Sequence, residues 1–164
     1  MPSIYLASPL GFAHSTHGFM HDLTARLRQY VTVHNPWDPI GDIDPFEGIH
    51  AIDSVRERDR RLAEVNRFLG RNNREGIDAS DGLFAILDGV DVDSGTAAEI
   101  GYAFGRGKYI CGLRTDFRLA GDNPGSIVNL QVEYFIVESG GSIVTDVDAF
   151  VHLARDFGSR RRED

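Results

Sequence analysis

Strand-like and helix-like segments alternate along this chain, which predicts an α/β fold: a three-layer sandwich around a central, mostly parallel sheet. Three observations carry that expectation. Short apolar runs, each suited to a buried strand, recur at residues 3–8, 30–34, 83–87, 109–113 and 142–145. The stretches between them are long enough for the crossovers that parallel strands need. The 164 residues, 41% apolar and 26% charged, suffice for one ordinary core and show no repeat or linker. Residues 1–164 therefore read as a single domain.

Taken in order, the first strand (3–8) runs into a Pro9-Leu10-Gly11-Phe12 turn. A helix is expected over 15–28, with Phe19, Leu23 and Leu27 on one face. The second strand, 30–34, has Val-Thr-Val at its heart. Residues 35–48 hold Pro36, Pro39 and Pro45 with Gly41 and Gly48, a long irregular connection of the kind that forms lids. Ile52, Val55, Leu62, Val65 and Leu69 mark a long helix that should end around Gly70 to Gly76. Its outer face, Arg56 to Arg60, reads as solvated, with internal ion pairs. Strand 83–87 precedes a small-residue helix over 94–106 with Gly107 beyond its end. After strand 109–113 comes a second irregular loop, 115–128, containing Gly121, Pro124 and Gly125. A helix over 129–139 is broken by Gly140-Gly141, and Asp146 can cap a last helix through Arg155.

Composition narrows the function classes. A net charge of −8 opposes binding to a nucleic-acid backbone. The one basic cluster, Arg160-Arg161-Arg162, reads as a solvated tail. No run approaches a membrane span and no signal peptide opens the chain, so a cytoplasmic protein without a membrane partner is expected. The single cysteine, Cys111, excludes an internal disulfide and reads as a buried small hydrophobe. His14, His17 and His21 share a helical face, but no ligand set completes them nearby, so no metal is assigned. The glycine fingerprint of a dinucleotide site is missing after the first strand, and no cofactor is expected. A small, neutral ligand fits best.

The chemistry concentrates between Leu87 and Ala103, at the carboxyl end of a strand and the start of a helix, where open α/β sheets bind ligands. Asp88, Asp91, Asp93 and Glu99 crowd it. Helical side chains lean toward the N-terminus, so Glu99 can address the same space as Asp93. Two carboxylates converging on a cleft suit acid and nucleophile chemistry. The same residues also fit a capping box with Thr96 as N-cap and Glu99 reaching back. A phosphate cradle would want bare amides and a Lys. A calcium loop fails because Val90 and Val92 fall where ligands are needed.

With these residues read, the chain resembles the nucleoside 2-deoxyribosyltransferase family. Four places carry the likeness: the opening strand Ile4 to Leu10; Asp93-Ser94-Gly95-Thr96-Ala97-Ala98-Glu99-Ile100-Gly101, similar to the family's Asp-x-Gly-x-x-x-Glu-x-Gly motif; Gly112 to Arg118; and Asn129-Leu130-Gln131. The last resembles an Asn-Leu-Met segment that family members insert into a neighbouring subunit's site. The resemblance implies a flavodoxin-like (Rossmann-like) fold, nucleosides and free nucleobases as small-molecule substrates, and a homo-oligomer with shared active sites. It implies Glu99 as nucleophile on C1′ of a 2′-deoxyribonucleoside and Asp93 as proton carrier for the base. Tyr5 would hold Glu99, and Asn129 would reach in from another subunit. Phe12, Asp88, Asn73 and Gln131 join them as substrate-binding candidates. Two departures stand out: Asn73 falls where some members place a base-contacting acid, and Gln131 where Met is usual.

Physical chemistry agrees with that assignment. A C1′–N bond breaks through an oxocarbenium-like transition state that a carboxylate stabilises and can trap, as in retaining glycoside hydrolases. The departing base needs a proton, which a carboxyl of raised pKa can supply. Crowding of Asp93 by Asp91 and Glu99 would raise it. Two other readings are compatible with the residues. One is an N-glycoside hydrolase of nucleosides, or of nucleoside 5′-monophosphates held by Ser8 and His14-Ser15-Thr16-His17. The other is a non-enzymatic nucleoside-binding domain.

Overall fold

The computed structural model describes residues 1–39, 44–119 and 123–160, with residue 160 described by its backbone alone. Gly41, Gly121 and the tail residues Arg161 and Arg162 lie outside the described residues. Five strands, β1 (Ser3–Ala7), β2 (Thr32–His34), β3 (Gly82–Ile86), β4 (Tyr109–Leu113) and β5 (Ile143–Val144), form one sheet in the order β2-β1-β3-β4-β5. Every pairing is parallel, with Tyr5 opposite His34 on one side and Leu83 on the other. This is the flavodoxin-like order, and its switch point falls between β1 and β3.

Alternation along the strands builds the three layers. Ile4, Leu6, Phe84 and Ile86 face one side, where α1 (His17–Leu27) and α5 (Val147–Arg160) bring Leu23, Leu27, Phe150 and Ala154 against them. Tyr5, Ala7, Leu83 and Ala85 face the other, against α2 (Val55–Ala79), α3 (Ser94–Gly105) and α4 (Leu130–Glu138). Fully buried side chains such as Leu23 and Phe150 each contribute about 2 kcal/mol through removal from water. Cys111 is buried in the first of these cores, as expected. No helix among the described residues is long and apolar enough to cross a membrane.

Three elements differ from expectation. The buried stripe of α1 is Met20, Leu23, Thr24 and Leu27, while Phe19 stays 37% exposed. A spacing of three, four and seven fits the helix better with Met20 than with Phe19. The long helix does not stop at Gly70 to Gly76. α2 runs 25 residues to Ala79, because packing outweighs the ~1 kcal/mol propensity cost of each glycine. Gly76 is where the helix meets Tyr5: a Cβ there would stand 3.2 Å from the ring's Cδ2 and Cε2. Finally, α5 continues past Arg155 to Arg160. The charge run on α2 does form internal pairs, Arg60 with Glu57 and Glu64.

Candidate active site

Tyr5 points away from α1 because it alternates with Ile4 and Leu6, and that places its ring beneath α2 and α3. Asn73 and Gly76 lie three residues apart on α2, hence on one face. Glu99 stands in the second turn of α3, its side chain leaning back toward the helix start. The three meet. The Tyr5 hydroxyl donates to Glu99 Oε1 at 2.8 Å, and Asn73 Nδ2 donates to the same oxygen at 3.3 Å. Glu99 Oε2 receives no donor among the described residues.

Asp93 sits at the entrance to α3. Its Oδ2 accepts from the Thr96 amide at 3.0 Å and lies 3.4 Å from Thr96 Oγ1. Asp93, not Thr96, is therefore the N-cap, and Glu99 is free of the capping box that the spacing allowed. Asp91 stands two residues before the α3 N-cap. It is exposed, and its carboxylate accepts from the Val92 amide at 2.7 Å. The carboxyl pushed above its ordinary value is Glu99, by burial first and by the nearby Asp93 charge, against the lowering bonds from Tyr5 and Asn73. Burial, then the Glu99 charge and hydrogen bond, drives the Tyr5 phenol far up, so Tyr5 stays a donor.

Asn73, Asp93 and Glu99 border a cavity of about 610 Å³, a size that suits a nucleoside. Phe12 lines it. The connection after β2 forms the opposite wall with Pro36, Trp37, Asp44 and Phe46. Trp37 was not anticipated. It is the only tryptophan in the chain, its Nε1 donates to the Ser8 carbonyl at 2.8 Å, and Phe12 packs edge-on against it at 4.6 Å. The one available signal was a lone aromatic in a proline-rich connection, Asn35-Pro36-Trp37-Asp38-Pro39.

Other candidates lie elsewhere. Asp88 does not line this cavity. It accepts from the Thr115 amide (2.6 Å), Thr115 Oγ1 (2.7 Å) and the Asp116 amide (2.8 Å), which ties the β3–α3 turn to the loop after β4. The buried Arg114 completes that clasp by donating to the carbonyls of Leu87 (2.6 Å), Gly89 (3.3 Å) and Arg118 (2.8 Å). Asn129 caps α4 by accepting from the Gln131 amide at 3.0 Å, and both line a separate groove between α3 and α4. His17 Nε2 pairs with the Gly11 carbonyl at 2.9 Å, and His14 packs against its ring. Neither lines the cavity, and Ser8 Oγ already accepts from the Leu10 amide at 3.1 Å.

A parallel 2-1-3-4-5 sheet with a supported carboxylate at its switch point defines a flavodoxin-like α/β domain built around a carboxylate site. The profile of the nucleoside 2-deoxyribosyltransferase family matches residues 4–133, and the chain belongs to that family. An uncharacterized protein of Schizosaccharomyces pombe is 28% identical over 123 residues, covering 73% of this chain and 53% of the relative. The chain thus spans about half the length of that curated relative. A conserved protein from Enterococcus faecalis shares the fold at a TM-score of 0.67 and 24% identity, covering 95% of this chain and 98% of its own. A 2-deoxyribosyltransferase from Bacillus psychrosaccharolyticus does so at 0.62 and 24%, covering 90% and 88%.

Proposed function

We propose that this chain transfers a 2-deoxyribosyl group between nucleobases through a covalent deoxyribosyl–Glu99 intermediate, a reaction of nucleoside salvage. The observation that carries the reading is Glu99 itself, half-enclosed beside Asp93 and gripped through one oxygen by Tyr5 and Asn73. Family membership supports it. Oε2 attacks C1′, the C1′–N bond breaks, and its electrons pass to the base nitrogen, which takes a proton from the Asp93 carboxyl. An incoming base then attacks C1′ through a ring nitrogen. The electrons of the C1′–Oε2 bond return to Glu99, and the base's N–H proton passes to Asp93.

Hydrolysis, with water as the second nucleophile, is the rival for a nucleoside substrate. A 5′-monophosphate substrate is disfavoured by charge. The described lining holds Asp38, Asp44, Asp93 and Glu99 but no Lys, Arg or His, and a phosphate wants cationic donors. Incubation with 2′-deoxyinosine and adenine separates the outcomes. Deoxyadenosine with hypoxanthine, lost in Glu99→Ala, supports transfer; hypoxanthine with free deoxyribose supports hydrolysis; no turnover of any nucleoside refutes both.

The reading includes a homo-oligomer. Asn129 and Gln131 border the α3–α4 groove and not their own chain's cavity, so a role at Glu99 requires the cavity of a second copy. Leu130, Tyr134 and Val137 are about half exposed on the same helix, an apolar face suited to contact between copies. Mixing Glu99→Ala with Asn129→Ala protein should restore activity that neither has alone. No complementation would remove the shared site.

A further inference from the structure

We infer that Asn73 is a positioning residue for the nucleophile, which selects Oε2 as the attacking atom and speeds breakdown of the glycosyl-enzyme. The inference rests on the glycosyl-transfer reading above. It departs from the base-contacting role that the resemblance implies for this position.

Geometry makes the case. Asn73 reaches Glu99 Oε1, not an empty region of the cavity. Tyr5 reaches the same oxygen, so both donors leave Oε2 unencumbered. Attack through Oε2 then turns Oε1 into the carbonyl oxygen of a deoxyribosyl ester, and both donors stay on it. A donor binds a carboxylate more strongly than it binds a neutral ester carbonyl. The pair therefore stabilises Glu99 as the leaving group when the C1′–Oε2 bond breaks and its electrons return to the carboxylate. The ester is helped less, so the donors favour its turnover over its accumulation. The placement of Asn73 follows from the fold: Gly76, on the same face of α2, admits the Tyr5 ring at a distance that a Cβ would crowd, and this brings Asn73 within reach of α3.

The bond of 3.3 Å is the longer of the two, so its loss should be the milder one. Asn73→Ala is expected to slow deglycosylation about fivefold to tenfold. Intact-protein mass spectrometry of a quenched reaction with 2′-deoxyinosine and adenine should show a larger steady-state fraction of glycosyl-enzyme than the wild type. Relative rates with adenine, cytosine and hypoxanthine as acceptors should stay as in the wild type. Asn73→Asp, which cannot donate when ionised, should behave like Asn73→Ala and move the acid limb of kcat/KM to higher pH. Wild-type turnover with an Asn73→Ala protein that changes acceptor preference but not the trapped fraction would overturn the inference and leave the transfer reading intact. A wild type that transfers deoxyribose without any trapped Glu99 adduct, even in Asn73→Ala, would overturn it too. A wild type inactive on all nucleosides would overturn both.

Discussion

Gly11 lies flat against the indole of Trp37: a Cβ added at Gly11 would stand 1.9 Å from Cδ2 and 2.3 Å from Cε2. Two loops from different strands thus share one wall of the cavity, fastened by the indole N–H on the Ser8 carbonyl.

Gly11→Ala must displace that indole. Phe12 and Trp37 offer the cavity's aromatic face to a base, and stacking of a base on an aromatic ring is worth roughly 1–3 kcal/mol. Nucleoside KM should rise about tenfold, with kcat changed much less. The sole tryptophan makes the displacement visible as a shift in emission maximum. A shifted spectrum with an unmoved KM would show that the wall is not used.

Tyr5→Phe removes the shorter of the two bonds to Glu99. A hydrogen bond to a charged group contributes about 1.5–3 kcal/mol, and Tyr5 favours the carboxylate over the ester, so deglycosylation should slow about 10- to 100-fold. The pH dependence has a definite sign. Burial already raises the Glu99 carboxyl and Tyr5 opposes that rise, so its removal should carry the acid limb of kcat/KM to higher pH. A limb that stays put while the rate falls would assign Tyr5 to the substrate and not to Glu99.

Glu99→Gln should be more stable than the wild type at pH 7.5. The native Glu99 carboxyl lies above the unfolded value of about 4.3. Between the two values the native state binds more protons than the unfolded state, so wild-type stability falls as pH rises through that window. The melting-temperature advantage of Glu99→Gln should therefore shrink as pH drops toward 4. An advantage independent of pH would point to packing.

Asp88→Ala tests the clasp. Three hydrogen bonds are lost together, two of them to backbone amides, and the expected destabilisation is about 2 kcal/mol. That corresponds to a melting temperature lower by roughly 4–8 °C in a domain of this size. A residue that bound substrate would instead raise KM and leave the melting curve in place.

Much of this architecture is legible in the chain because strand alternation and turn residues are local signals. Tyr109–Leu113 appears as expected, and the other strands agree to within two residues at either end. Glu99 and Asp93 are legible through their motif and Tyr5 through its place in the opening strand. Other features are tertiary. Nothing near Asp88 announces partners 27 and 28 residues away, and helix propensity at Gly76 takes no account of the Tyr5 ring packed there. Trp37 sits in a connection without periodicity, so no pattern assigns it to a wall.

The site divides by mechanical character. Everything that grips Glu99 is mounted on secondary structure: Tyr5 on β1, Asn73 on α2 and Glu99 on α3. Everything on the facing side, from Phe12 to Phe46, hangs from connections. Under the proposed function, substitutions confined to residues 36–39, 44–46 and 12 would recut the shape offered to a base without disturbing the residues assigned to bond making and breaking. The fold separates what is recognised from what is done, and a directed-evolution library has a natural border to respect.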